Sequence, residues 1–145
     1  MMAPRRLLLA APGLLLLPRG AAATPEAMAE AVHGFTGGAE MRPGRVAIDI
    51  SPLVENGNTV PLSVIVDSPM TEQDHVRAIA VFNERNPQPH VVAVRLGLRS
   101  GRAILATHIR LATSQTLLAV AELSDGSFWS DRAQVIVTLA ACVEG

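Results

Sequence analysis

Apolar and polar positions alternate with period two along much of this chain. Val60, Leu62, Val64 and Val66 fall on one face of Thr59–Val66, which is the signature of a half-buried strand. Arg45–Ile50, Val91–Leu98, Ala103–Leu111, Thr116–Leu123 and Phe128–Leu139 carry similar alternation or β-rich runs, and Val76–Phe82 is a continuous β-rich run. Turn residues punctuate them. Arg42-Pro43-Gly44, Glu55-Asn56-Gly57-Asn58 and Ser124-Asp125-Gly126-Ser127 predict tight turns, with Asn-Gly suited to positive φ. Pro61 places its strand at an edge or a strand start, because proline donates no ladder hydrogen bond. Only one helix is predicted. Thr24 serves as N-cap, Pro25 as first-turn residue and Glu26 as an acid at the positive dipole end. The pattern runs through Val32, puts Met28, Ala31, Val32 and Phe35 on one face, and ends at Gly34 and Gly37-Gly38. Seven strands at short spacing with no helices between them imply an all-β fold, an immunoglobulin-like antiparallel β-sandwich with a short N-terminal helix.

The segment before that helix has another pattern. Arg5 and Arg6 precede the apolar run Leu7–Leu17, and Ala21-Ala22-Ala23 follows. This is a cleavable export signal over residues 1–23, too short and too interrupted to span a bilayer. The arginine pair fits the twin-arginine route and the general secretory route alike. The expected domain is therefore 24–139, with residues 140–145 as a flexible C-terminal arm, in a periplasmic protein.

Charge narrows the partners. The 145 residues include no lysine, and beyond residue 23 nine arginines face thirteen acids, a formal charge of −4. A mildly acidic domain without a basic run argues against nucleic acid and anionic membranes. With Phe35, Phe82, Phe128 and Trp129 as its aromatics, the chain offers few stacking platforms.

Familiar catalytic and metal patterns are missing from the sequence. His33, His75, His90 and His108 are not spaced as a zinc site, so no metal or cofactor is expected. No G-x-S-x-G or local Cys/His signature occurs. Asp67, Glu72 and Asp74 read as a solvated loop face. Gly34–Gly38 lacks the lysine and preceding strand of a phosphate loop. The remaining reactive group is Cys142, the single cysteine, three residues from the end. It has no intramolecular disulfide partner, and in an exported chain such a thiol is notable. An unperturbed thiol is about 3% thiolate at pH 7, and Glu144 with the terminal carboxylate disfavours the thiolate further. The reading is of a protein that does not catalyse but offers its sulfur: a covalent carrier, a disulfide anchor or a redox switch.

The order of several segments resembles the SoxY family, the sulfur-carrier subunit of the periplasmic Sox system. The segments are Pro52-Leu53-Val54-Glu55-Asn56-Gly57 with Val60-Pro61-Leu62, Asn86-Pro87-Gln88-Pro89, Thr107-His108-Ile109-Arg110-Leu111-Ala112, and Ala119-Val120-Ala121 before Asp125-Gly126, closed by the terminal cysteine. The resemblance implies a heterodimer with a SoxZ-like subunit, transient visits to sulfur-oxidation enzymes, and a thiosulfate-type compound attached at Cys142. The arm departs from the family pattern Gly-Gly-Cys-Gly-Gly. Here Ala140-Ala141 precede Cys142 and Val143-Glu144-Gly145 follow, similar to a SoxY-related group ending Ala-Ala-Cys-Ile-Glu. The rival reading is an immunoglobulin-like periplasmic adaptor whose cysteine is incidental or forms an intermolecular disulfide.

Overall fold

The computed structural model describes residues 22–141. Its helix α1 covers Pro25–Thr36. The Thr24 hydroxyl accepts from the Ala27 N–H at 3.0 Å, and Gly37 closes the helix with φ +65°. The helix passes through Gly34, the first of the two glycine breaks, and stops at the second, Gly37-Gly38. Glycine in a helix costs about 1 kcal/mol relative to alanine. Packing beyond it offsets this: Phe35 sets its ring edge-on against Phe82 and Phe128, at 6.0 and 5.9 Å between centroids.

Two sheets form an immunoglobulin-like sandwich. The larger has the order β1-β9-β8-β5-β6, with β3 also paired to β9, and the smaller is β2-β4-β7. The strands are β1 (Met41–Pro43), β2 (Val46–Asp49), β3 (Leu53–Asn56), β4 (Val60–Val66), β5 (Val76–Asn83), β6 (His90–Arg95), β7 (Ile104–Ile109), β8 (Gln115–Leu123) and β9 (Phe128–Leu139). The seven predicted strands are present, and β6 stops at Arg95, short of the expected Leu98. Two short strands add to them. β1 pairs parallel with the start of β9, Met41 opposite Phe128, and β3 pairs parallel with its end, Leu53 opposite Ile136. These parallel pairings sit beside antiparallel ladders elsewhere. Both fall where the sequence showed turns, because neither is long enough to display alternation. The twelve-residue β9 is long enough for one strand to pair with each end.

The predicted inward face of β4 is buried in the inter-sheet core. Pro61 is its second residue, beyond Ser63, the last residue paired with β2, so only β7 flanks it. Strand β5 is buried on both faces. Ile79 and Val81 enter the inter-sheet core, while Ala80 and Phe82 lie under α1 with Met28 and Val32. Double coverage explains its continuous apolar run. No helix among the described residues is long and apolar enough to cross a membrane.

Candidate functional site

Cys142 and the remainder of the arm, through Gly145, lie outside the described residues, as do residues 1–21 of the expected export signal. Ala23, the last residue of that signal, is described. It is buried and donates from its N–H to the Asn86 carbonyl at 3.0 Å. The candidate site is therefore built from what leads to Cys142, the root of the C-terminal tip.

Three backbone segments meet at this root. The Gly57 N–H donates to the Leu139 carbonyl at 2.8 Å, and the Leu111 N–H donates to the Gly57 carbonyl at 2.8 Å. The Ala141 N–H donates to the Leu111 carbonyl at 3.1 Å. Leu111 is fully buried and Ala141 nearly so. Ala140-Ala141, assigned to the arm from sequence, thus continue the β9 edge as far as the peptide before Cys142. The Thr138 hydroxyl donates to the Glu55 carbonyl at 3.2 Å, and the Ser114 hydroxyl accepts from the Val137 N–H at 2.8 Å. The end of β9 is held from both sides.

Gly57 has a specific reason to be glycine, and it is not the expected one. Its φ is not positive; the positive-φ glycines are Gly37, Gly38, Gly44, Gly101 and Gly126. A Cβ on Gly57 would collide with the Leu111 carbonyl oxygen and lie 3.0 Å from the Ala141 nitrogen. The turn itself is set by Asn56, whose Oδ1 accepts from the Asn58 N–H at 3.0 Å.

A partly buried polar network steadies the Leu111 side. Asn86 donates from Nδ2 to the Arg110 carbonyl at 2.8 Å, and its Oδ1 accepts from the Ala112 N–H at 2.9 Å. The same oxygen accepts from Gln115 Nε2 at 2.7 Å. Gln115 Oε1 accepts from the Arg85 N–H, and Asn83 bonds both the Asn86 N–H and the Gln88 carbonyl. Asn83 and Gln115 are buried, and no buried side-chain nitrogen or oxygen among the described residues lacks a partner. The sequence flagged Asn86-Pro87-Gln88-Pro89 and Arg110-Leu111-Ala112 as separate segments. The structure brings them together as the clamp behind the root. Nothing local marks Gly57, Asn83 or Gln115 for this role, because their partners are distant in sequence.

The other candidates have structural tasks. Asp74 takes a two-pronged ion pair from Arg45 at 3.0 and 3.1 Å, and Arg45 Nε donates to the Asp67 carbonyl. Arg45 also lies over Trp129 at 5.7 Å. His75 Nδ1 is 2.9 Å from the Thr71 carbonyl. His90 and His108 line one cleft, but no three His, Cys, Asp or Glu among the described residues are grouped as metal ligands. In the β8–β9 turn, hydrogen bonds from the Ser127 hydroxyl and then its N–H hold the Asp125 carboxyl below the usual range.

Several solved structures share this architecture. A superoxide reductase (neelaredoxin) from Ignicoccus hospitalis, the T24K variant, is 19% identical over 79% of this chain and 92% of its own, with a TM-score of 0.57. The putative superoxide reductase of Thermotoga maritima is 20% identical over 71% and 89% of the two chains, TM-score 0.55. That of Nanoarchaeum equitans is 10% identical over 66% and 100%, TM-score 0.55. At such identity the likeness shows the fold alone. No match was found among curated proteins. One protein-family model, described as sulfur oxidation protein SoxY, matches residues 32–142, a stretch that runs from within α1 to the cysteine itself.

Proposed function

The chain belongs to the SoxY family of sulfur oxidation proteins, and we propose that it is a periplasmic carrier holding a thiosulfate-type compound on Cys142. It does not catalyse; partner enzymes act on the sulfur it presents. Joining the thiol to thiosulfate through a sulfur–sulfur bond releases a proton and two electrons. The partner oxidase takes up those electrons. A SoxZ-like subunit completes the heterodimer, as the family implies.

The observation that carries this reading is the root. The fold holds the chain as far as Ala141 and the family match ends on Cys142. The thiol-bearing residue is one peptide, about 3.8 Å between Cα atoms, from a fixed point. A partner must reach the root, or Ala140-Ala141 must peel away. Peeling breaks the Ala141–Leu111 hydrogen bond and exposes the buried Ala141 side chain, together a cost of about 2 kcal/mol, and lengthens the reach by roughly 7 Å. The carrier thus has a short and a long reach separated by little energy. This root stands in for the glycines of the usual SoxY arm, which gain reach through backbone freedom instead.

Thiol alkylation tests the proposal. Wild-type protein from cells oxidising reduced sulfur compounds should resist alkylation until dithiothreitol is added, and Cys142→Ser should never react. A thiol alkylated in full without reductant contradicts it. A stoichiometric cross-linked dimer on non-reducing electrophoresis favours the adaptor reading instead.

A further inference from the structure

A cleft of about 480 Å³ opens where β6 ends one sheet and β7 ends the other. Asn86, Gln88, His90, Thr107, His108 and Arg110 contribute its polar lining, and no carboxylate lines it. In a chain whose acids outnumber its arginines, an acid-free wall bearing an arginine is a local reversal of charge. The Arg110 side chain makes no ion pair among the described residues, where the single salt bridge is Arg45–Asp74. Its backbone is fixed by the Asn86 amide at 2.8 Å, so the base of the side chain is well placed. His90 is steadied by the Phe82 ring, 5.3 Å between centroids. Arg110 directly precedes Leu111, the residue that holds Ala141.

From this we propose that the cleft is a noncovalent binding site for a small oxyanion of the sulfate and thiosulfate class. The identity of its physiological occupant, the anionic end of cargo carried on Cys142, rests on the carrier reading above. Guanidinium recognises such oxyanions through paired N–H donors. One exposed arginine with polar neighbours binds a free anion weakly. The same anion tethered one residue beyond Ala141 has an effective concentration of millimolar order or more, so weak intrinsic affinity suffices. The cleft is then a resting place for the loaded tip between partners.

An NMR titration of Cys142→Ser protein with sodium thiosulfate, and separately with sodium sulfate, tests this at ionic strength held constant with chloride. The expected result is saturable shifts at His90, Thr107, His108 and Arg110 for both anions. Arg110→Gln should weaken binding at least about tenfold with unchanged melting, and Arg110→Lys should retain part of it. Shifts that do not saturate, or equal affinity in Arg110→Gln, overturn the proposal. Wild-type protein carrying thiosulfate on Cys142 should show the same shifts without added anion, and their absence overturns the cargo as occupant. Because the titration itself uses protein without the thiol, a negative titration leaves the alkylation result standing, and failed alkylation leaves the cleft standing as a free-anion site.

Discussion

At the scale of single residues, two positions decide whether the root forms. Gly57→Ala forces a Cβ onto the Leu111 carbonyl, backbone that has no room to move without disturbing Ala141. The expected loss is about 1–3 kcal/mol, as for other overpacked sites, read as a lower urea midpoint. The Ala141 amide should also exchange hydrogen faster than in the wild type. Unchanged exchange would mean that Gly57 does not hold the root. Asn86→Ala removes the shared partner of Ala112 and Gln115 and leaves the buried Gln115 amide short of an acceptor. The cost of stranding such groups is about 1–3 kcal/mol, again measured by urea unfolding. The sequence made Cys142 prominent by eliminating other chemistry and made Gly57 visible as a turn residue. It could not show that Gly57 is small because two distant segments crowd it, since that contact links residues 57, 111 and 141.

Among elements, legibility followed length and exposure. Strands β4, β8 and β9 were plain from alternation or apolar runs and from the Asp-Gly turn between the last two. β1 and β3 were not, because three or four residues beside Pro43 and Pro52 carry too little pattern and form only by pairing with β9. Helix α1 runs past Gly34 to the second glycine break because Phe35 docks. Phe35→Ala should therefore fray the helix back towards Gly34 and cost about 1–3 kcal/mol, checked by amide exchange at Phe35 and Thr36. In the β8–β9 turn, Asp125 is held below its ordinary value of 3.8 chiefly by the Ser127 side chain. A depressed carboxyl contributes stability above its unfolded pKa and loses it as pH falls through the lower folded value. The turn should therefore loosen below about pH 4, and Ser127→Ala should raise the Asp125 midpoint in an NMR titration. The group is fully exposed, so the effect belongs to the hairpin rather than to global stability.

For the whole molecule, the sandwich is a scaffold shared with superoxide reductases at 20% identity or less in the three compared, and the fold does not carry the function. On the proposed carrier reading, the function resides in a short terminal segment and in the backbone clamp that leads to it. That division explains what the sequence disclosed. Alternation and turn chemistry are local and gave the sandwich, and the order of segments gave the family. The clamp is assembled from residues 57, 86, 111 and 141 and the arginine-bearing cleft from residues 86, 90, 108 and 110, and only the fold brings each set together. The central claim is that Cys142 carries sulfur cargo. Its most direct test is the intact mass of the exported protein from cells oxidising reduced sulfur compounds, taken before and after dithiothreitol. The expected result is sulfur-containing adducts that dithiothreitol removes and that Cys142→Ser lacks. A single unmodified mass under those conditions would contradict it.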